Sequence, residues 1–272
     1  MEPRSLRAGK LHCLVWGGEA DPPVLLIHGA GMLSRWWEAL VPLLPGHRLI
    51  APDLRGHGES EWADAYMIDD FAADLVESLD GVEPRPAAVV GHSMGGRVVV
   101  WLAAHHPGRV ARVALLDTRM AGLSQERVDR WRGAGETAAR SGRAQRVYAT
   151  RAEAEASFRV TPNEAIEPAR RDRLARYAVV ERSAGEWSLR FDRRVLALEG
   201  SRVADLSHLL ARVGCPALVV RGAASTVIGA AGCEAMAAAM PNAHTAVIPG
   251  GHHFALSHPR ETAQLLREFF SA

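Results

Sequence analysis

The sequence is poor in lysine, cysteine and aromatic residues, and it carries almost no net charge. Lys10 is its single lysine, and the 32 basic residues are balanced by 31 acidic ones to a net charge of +1. General binding to a polyanion requires a strongly basic protein, so we expect no nucleic-acid partner. The three cysteines, Cys13, Cys215 and Cys233, lack the spacing of metal ligands and predict reduced thiols in a cytoplasmic protein.

Long apolar runs are also missing. No stretch reaches the roughly 18 apolar residues that a membrane-spanning helix needs, and the polar stretch Met1–Lys10 has no apolar core typical of a signal peptide. We therefore expect no membrane partner and a cytoplasmic location. Apolar residues make up 48% of the 272 residues and charged residues 23%, which is an ordinary globular composition.

Short apolar runs alternate with amphipathic stretches along the chain. The runs are rich in Val, Ile, Leu or Ala and are bounded by Gly, Pro or Asp, which predicts buried strands. They lie at Pro23–Ile27, Arg48–Ala51, Ala87–Val90, Val113–Leu116, Ala217–Val220 and Thr245–Ile248. Leu11–Trp16 predicts an earlier, partly exposed strand, and helices are expected at Ile68–Leu79, Met94–His105 and Pro259–Phe270. This alternation predicts an α/β fold with a doubly wound, mostly parallel sheet.

The alternation stops in residues 118–205, which we call the cap segment. This stretch lacks a strong strand-like run, and between Arg119 and Arg194 it holds 17 arginines against 11 acidic residues. We expect it to be a helical insertion in a core domain formed by residues 1–117 and 206–272. Its arginines either form a solvated helical face or in part line a pocket for an acidic substrate.

The strongest local motif is Gly91-His92-Ser93-Met94-Gly95-Gly96. It follows a predicted strand and precedes a predicted helix, the context of the G-x-S-x-G nucleophile elbow. The glycines allow a sharp turn that exposes the Ser93 hydroxyl at the carboxyl edge of the sheet. The N–H of Met94 then lies at a helix N-terminus, where it can stabilise an oxyanion.

Two further motifs follow predicted strands and so belong at the same edge. His28-Gly29-Ala30-Gly31 is a glycine-rich turn that can offer the N–H of Ala30 to the same oxyanion. Pro249-Gly250-Gly251-His252-His253 places His252 where it can act as the general base for Ser93. We expect His253 to be a packing or hydrogen-bonding neighbour, and we expect no metal, because no partner set of ligands accompanies the two histidines.

With the segment Asp53–Ser60, these motifs make the chain resemble the α/β-hydrolase superfamily from about Leu11 to Phe270. The resemblance implies Ser93 as nucleophile, His252 as base, Met94 and Ala30 as oxyanion-hole residues, and a structural turn at Asp53–Ser60. A serine nucleophile is unlike the aspartate of the superfamily's haloalkane dehalogenases and epoxide hydrolases, so those activities are not expected. No Walker loop or dinucleotide motif is present, and we expect no cofactor.

The third member of the catalytic triad is not at its usual place. In this superfamily an Asp or Glu usually follows the strand after the cap, but Ala217–Val220 is followed by Ser225 and Thr226 without a carboxylate. Three explanations stay open. Asp117, at the end of an earlier strand, supplies the acid; Ser225 or Thr226 orients His252 in a Ser–His dyad; or the acid was lost with hydrolytic activity. Asp192 is a distant alternative.

The substrate pocket and the reaction are less determined by the sequence. Trp36 and Trp37 follow the oxyanion turn and are expected, with His92, to form a pocket wall. Further aromatic residues lie in the cap segment: Trp131, Tyr148, Phe158 and Trp187. The motifs favour hydrolysis of a small-molecule carboxylic ester, lactone or thioester. Alternatives are cleavage of a carbon–carbon bond in a β-diketone, a non-hydrolytic cyclase, dehydratase or lyase, and a non-catalytic ligand-binding homologue. Oligomeric state stays open.

Overall fold

The centre of the fold is an eight-stranded, mostly parallel sheet, seen in a computed structural model that describes residues 2–120, 145–183, 185–196 and 205–272. Its strands are β1 (Arg4–Ala8), β2 (Leu11–Trp16), β3 (Pro23–Ile27), β4 (Arg48–Pro52), β5 (Ala87–His92), β6 (Val110–Leu116), β9 (Ala217–Gly222) and β10 (Ala243–Ile248). Their order across the sheet is β1-β2-β4-β3-β5-β6-β9-β10. Strand β2 is antiparallel to both neighbours, and the six strands from β4 to β10 in this order are mutually parallel. Two more, β7 (Val179–Ser183) and β8 (Glu186–Leu189), form a separate hairpin.

Helices cover both faces of the sheet. They are α1 (Ile68–Val82), α2 (Met94–His105), α3 (Arg151–Ser157), α4 (Pro168–Tyr177), α5 (Ala230–Ala238), α6 (Phe254–Ser257) and α7 (Pro259–Ser271), with 3-10 turns at Ser34–Ala39, Val41–Leu43, Pro107–Arg109 and Ser207–Arg212. Side chains of α1 and α2 pack into the core on one face, and those of Ser34–Ala39, α6 and α7 pack into the core on the other. Successive side chains of each central strand point to opposite faces, so each strand contributes to both cores. In β3, Leu25 and Ile27 lie in one core, and Val24 and Leu26 lie in the other.

The predicted doubly wound, mostly parallel sheet is confirmed. All six runs predicted as buried strands are strands, and the three predicted helices are helices whose ends shift by three residues at most. Continuous apolar runs were a sufficient signal for five of these strands because they are buried on both faces, so residues facing either side must be apolar. The predicted burial of Thr245–Ile248 is wrong, because β10 forms an edge of the sheet and is largely exposed.

Three further features differ from the sequence-based expectation. β1 was not predicted, since its five residues are largely polar and it forms an edge of the sheet. Leu11–Trp16 is a strand but is buried at every position, because β1 pairs along its outer edge and β4 along its inner edge. The cap segment contains the β7–β8 hairpin, whose short, charge-rich strands lack the apolar run that identified the others.

The described part of the cap segment also contains α3 and α4, so helices and a hairpin both contribute to it. Trp131 and the other residues at 121–144 and 197–204 lie outside the described residues. The division into a core of residues 1–117 and 206–272 and a cap of residues 118–205 stays a prediction. Within the described residues, no helix is both long enough and apolar enough to cross a bilayer.

Candidate active site

Ser93 lies on a sharp turn between β5 and α2. Its φ of 54° is unusual for a residue with a side chain, and its N–H donates to Leu116 O at 3.0 Å. Glycines flank it because the backbone is crowded: a Cβ on Gly91 would lie 2.6 Å from Gly95 O, and one on Gly95 would lie 2.3 Å from Ile27 O. The turn therefore has the strand–turn–helix geometry that the motif predicts.

The turn after β3 approaches Ser93 from the neighbouring strand. Ala30 and Met94 both line the cavity that contains Ser93, and the recorded hydrogen bonds of the described residues do not use the N–H of either. Both N–H groups are thus available as donors in residues that line the same cavity as Ser93. Their predicted role in an oxyanion hole stays a prediction.

Two neutral histidines hold the turn after β3. His57 Nε2 accepts the N–H of Gly31 at 3.0 Å, and His28 Nε2 accepts the N–H of Leu54 at 3.0 Å. Burial lowers the pKa of His57 to about 3 and also lowers the pKa of His28, so both rings keep a lone pair for these bonds. Sequence reasoning identified the segment containing His57 as a structural turn but missed this contact, which joins two loops distant in the chain.

His252 is held through one ring nitrogen by Asp117. His252 Nδ1 lies 2.6 Å from Asp117 Oδ2, and the two side chains are almost completely buried. This contact leaves Nε2 as the nitrogen available to a hydroxyl. Ser93 and His252 line the same cavity, although the hydrogen bonds of the described residues include none between them. Such bonds are often long in unliganded enzymes and shorten when substrate binds.

Asp117 is itself fixed by three further hydrogen bonds. Its N–H donates to Val220 O at 2.7 Å, its Oδ1 accepts the N–H of Gly222 at 2.9 Å, and its Oδ2 accepts the hydroxyl of Ser225 at 2.5 Å. Its φ of 47° lies in the left-handed region, which aspartate tolerates better than most residues. The carboxylate thus comes from the end of β6 and is supported by the loop after β9.

The other candidates for orienting His252 lie elsewhere. Ser225 contacts the Asp117 carboxylate, and its recorded hydrogen bonds do not reach the His252 ring. Thr226 is exposed, and its side chain has no hydrogen bond to another described residue, so the structure does not bring it to His252. Asp192 binds the Tyr66 hydroxyl at 2.8 Å and Arg194 Nε at 2.8 Å, away from His252.

Of the three residues predicted to form a pocket wall, Trp36, Trp37 and His92, the structure brings only His92 to the cavity. His92 lines the cavity, whereas both indoles are buried in the core and do not line it. Trp36 instead stacks on His92 with ring centroids 4.4 Å apart. The 3-10 turn Ser34–Ala39 faces the sheet, so it directs the two indoles into the core.

His92 has a role that the sequence did not indicate. Its Nε2–H donates to the backbone carbonyl of His252 at 2.9 Å, which ties the residue beside Ser93 to the loop that carries the imidazole. Burial holds the pKa of His92 well below its usual value, so the ring is neutral. His253, in turn, donates from Nε2 to Thr161 O at 3.2 Å in the cap segment, a hydrogen-bonding role of the kind expected.

Glu164 of the cap segment clamps the loop that contains His252. Its carboxylate accepts the N–H of Gly251 at 3.0 Å and the N–H of His253 at 2.5 Å, on either side of His252, and also accepts the hydroxyl of Ser257. Sequence reasoning missed this residue, and no local pattern marks it, because its partners are more than 80 residues away in the chain.

Replacing Glu164 by Ala should lower the free energy of unfolding by about 1–3 kcal/mol, since two backbone N–H groups and a hydroxyl lose a charged acceptor. The matched control is Glu167→Ala three residues later, where an exposed ion pair with Arg170 is lost and a change within about 0.5 kcal/mol is expected. Urea unfolding of the wild-type protein and the two variants measures both changes in the free energy of unfolding. Equal effects of the two replacements would contradict a clamp by Glu164.

The cavity above the sheet edge has a volume of about 540 Å³, within the usual range for a small-molecule site. The turn after β3, the turn at Ser93 and the His252 loop form its floor, and the cap segment forms much of its wall through residues such as Tyr148 and Phe191. Phe158 is instead buried in the core. Within the described ranges, no group of three or more His, Cys, Asp or Glu side chains is arranged to hold a metal ion.

Comparison with known proteins points to one fold family. A profile described as alpha/beta hydrolase fold matches residues 22–259. The chain is 42% identical to Lipase LipV of Mycobacterium tuberculosis over 111 residues, which cover 41% of this chain and only 42% of that protein. It is 30% identical to a non-heme haloperoxidase-like protein of Mycobacterium phage D29 over 90% of this chain and 86% of that protein. The solved structure of E-2-(acetamidomethylene)succinate hydrolase matches with a TM-score of 0.83 at 25% identity, covering 99% of each chain.

Proposed function

Because this chain belongs to the alpha/beta hydrolase fold family, we propose that it is a cofactor-independent serine hydrolase that cleaves a carboxylic ester, lactone or thioester through an acyl-enzyme. The observation that carries the proposal is the 2.6 Å contact between Asp117 and His252 in a cavity that Ser93 also lines. Relatives named as a lipase and a hydrolase support hydrolysis as the general reaction.

The reaction begins with attack of the Ser93 oxygen on the substrate carbonyl carbon. His252 Nε2 takes the hydroxyl proton, and the negative charge that forms on the carbonyl oxygen is stabilised by the N–H groups of Ala30 and Met94. When the tetrahedral intermediate collapses, the bond to the leaving alcohol or thiol breaks and His252 returns the proton to it. Water then attacks the acyl-enzyme by the same steps and releases the acid.

Asp117 acts on this cycle through the imidazole. Its carboxylate accepts a hydrogen bond from the Nδ1–H of His252, which keeps the ring in the tautomer whose Nε2 can take the serine proton. The same carboxylate stabilises the imidazolium that results. The Ser225 hydroxyl and the Gly222 N–H hold this carboxylate in place. Asp117 is therefore our candidate for the triad acid, ahead of a dyad in which a hydroxyl replaces it.

The test is turnover of p-nitrophenyl esters together with labelling by a fluorophosphonate probe. Ser93→Ala should abolish both, because the nucleophile is lost, and peptide mapping of the wild-type protein should find the label on Ser93. Ser157→Ala is the matched control, since Ser157 also lines the cavity but donates to Ala154 O within its own helix. Ester turnover that survives Ser93→Ala, or a label on another residue, contradicts the proposal.

Adding a β-diketone substrate to this experiment separates two rival functions. A non-catalytic homologue would turn over no ester, and a carbon–carbon hydrolase would prefer β-diketones over esters under matched conditions. The absence of an acid after β9 favoured a non-hydrolytic cyclase, dehydratase or lyase more than usual for such a chain. The contact of Asp117 with His252 instead supports a hydrolase with a complete triad.

A further inference from the structure

The wall of the candidate active-site cavity is unusually rich in arginine. Five arginines line it, and the described residues that line it include no Asp or Glu. They are Arg97, Arg119, Arg146, Arg159 and Arg193. Such a concentration of one sign of charge in a concave site favours ligands of the opposite sign, since the low-dielectric walls focus the field into the cavity.

Three of these arginines, all in the cap segment, differ from the arginines on the rest of the surface. Arg146, Arg159 and Arg193 form no ion pair with a carboxylate of the described residues, whereas many other arginines do. Arg173, for example, lies 2.6 Å from Glu38, and Arg55 lies 2.5 Å from Asp74. The positive charge of these three side chains is therefore not neutralised by a carboxylate of the described residues.

The contacts of these side chains leave guanidinium donors available. Arg159 donates from Nη1 to Ala156 O at 2.6 Å and to Phe158 O at 2.7 Å, which anchors the group at the end of α3 without using its Nη2. The Arg146 guanidinium lies 5.1 Å from the centroid of the Tyr148 ring, another residue that lines the cavity. A guanidinium presents two parallel N–H donors that match the two oxygens of a carboxylate.

The rest of the wall suits the chain that joins such a carboxylate to the reacting carbonyl. Met32, Leu189, Phe191, Leu196 and Val227 are apolar residues that line the same cavity as Ser93. A phosphate site usually adds backbone N–H groups from a helix N-terminus, and here the turn at Met94 provides that group to the oxyanion of the proposed reaction. The wall therefore fits a carboxylate better than a phosphate.

We propose that the substrate carries a carboxylate remote from the scissile carbonyl, bound by the arginines of the cap segment while Ser93 attacks the other end. This inference rests on the proposed serine hydrolase function and names its substrate class. Hydrolysis would then release a dicarboxylic acid from its half-ester or half-thioester, or a related acid from a substrate with an anionic acyl chain.

The test uses three p-nitrophenyl esters of matched length that differ in terminal charge: the adipate half-ester, its methyl ester, and the 6-aminohexanoate. We expect kcat/KM to decrease in the order anion, neutral, cation, with at least a tenfold preference for the carboxylate over its methyl ester. The preference should shrink in 0.5 M NaCl, because salt screens exposed charges. An equal or reversed order overturns the inference.

Variants show whether the arginines cause the preference. Arg159→Gln and Arg193→Gln should each reduce the ratio of kcat/KM for the carboxylate to that for the methyl ester by at least threefold. Arg260→Gln is the matched control, since Arg260 is an exposed arginine of α7 that does not line the cavity, and it should leave the ratio unchanged. A ratio that neither cavity variant alters contradicts the proposed role of the arginines.

A binding measurement separates failure of this inference from failure of the hydrolase proposal. Calorimetry of Ser93→Ala with monomethyl adipate and dimethyl adipate compares the same chain with and without a charge. If no ester is hydrolysed but the monomethyl ester binds at least tenfold more tightly, the substrate class is supported and the hydrolase proposal fails. If esters are hydrolysed without a charge preference in rate or binding, the hydrolase proposal is supported and the substrate class is wrong.

Discussion

Replacing Asp117 by Asn is expected to lower kcat/KM for a p-nitrophenyl ester by about 10⁴-fold, the size of the loss when the acid of a serine triad becomes an amide. The amide oxygen can still accept the N–H of Gly222, so the loop stays in place. The amide NH₂ instead faces His252 Nδ1 and donates to it, which moves the ring proton to Nε2. That nitrogen then cannot accept the proton of Ser93, and the imidazolium has no negative partner.

Two controls test whether the effect belongs to Asp117 rather than to its surroundings. Ser225→Ala removes one hydrogen bond from the same carboxylate oxygen but keeps the charge, so we expect a loss of less than about tenfold. Thr226→Val changes an exposed residue and should have no effect. If Asp117→Asn stays within a few-fold of wild type while Thr226→Val abolishes turnover, Asp117 is not the acid. Circular dichroism and thermal unfolding of each variant show that the fold is retained.

Acid is expected to destabilise the protein well before the carboxylates become protonated. Burial lowers the pKa of His57 and of His253 from 6.5 to about 3, and it also lowers the pKa of His28 and of His92. Below pH 6.5 the unfolded chain therefore binds protons that the native state does not bind until about pH 3, so stability falls as the pH falls through this window. The titration of His57 and His253 alone should lower the free energy of unfolding by about 4 kcal/mol between pH 7.5 and 5. Each ring contributes about 1.4 kcal/mol per pH unit below pH 6.5.

Urea unfolding at pH 7.5, 6.5, 5.5 and 5.0 measures this loss. His57→Gln removes one of the titrating rings while keeping an oxygen that can accept the N–H of Gly31, so its stability should depend less steeply on pH than that of wild type. His244→Gln, at an exposed position on β10, should keep the wild-type slope. Identical slopes in all three proteins, or a flat profile from pH 7.5 to 5.0, would show that the buried histidines do not control acid stability.

The parts of the site that could be predicted were those encoded within a few residues. The run Ala87–Val90 followed by Gly-His-Ser-Met-Gly-Gly indicated a strand, a sharp turn and a helix, and Ser93 lies on that turn with a φ of 54°. The turn at Ala30 and the loop at His252 were expected at the same edge, because each follows a strand of a parallel sheet. The structure brings all three to one cavity.

Less predictable were the residues whose role depends on packing. The sequence left Asp117, Ser225 and Thr226 open as partners of His252, because each follows a strand that ends near the imidazole. Trp36 and Trp37 were expected to line the pocket because they follow the turn after β3 in the sequence. Their direction into the core depends on how the 3-10 turn Ser34–Ala39 sits on the sheet.

By itself, the sequence determined seven of the eight strands of the central sheet, three of the helices that cover it, the sharp turn at Ser93 and the edge of the sheet where the chemistry can occur. These follow from short-range patterns, since apolar runs, glycines and turn residues act on their own neighbours. Only the tertiary structure decided that Asp117 binds His252 across 135 positions of the chain, that Glu164 binds the loop that contains His252, and that arginines of the cap segment line the cavity. Contacts of that kind depend on the register of β6 against β9 and on the packing of the cap segment, and no local pattern encodes either.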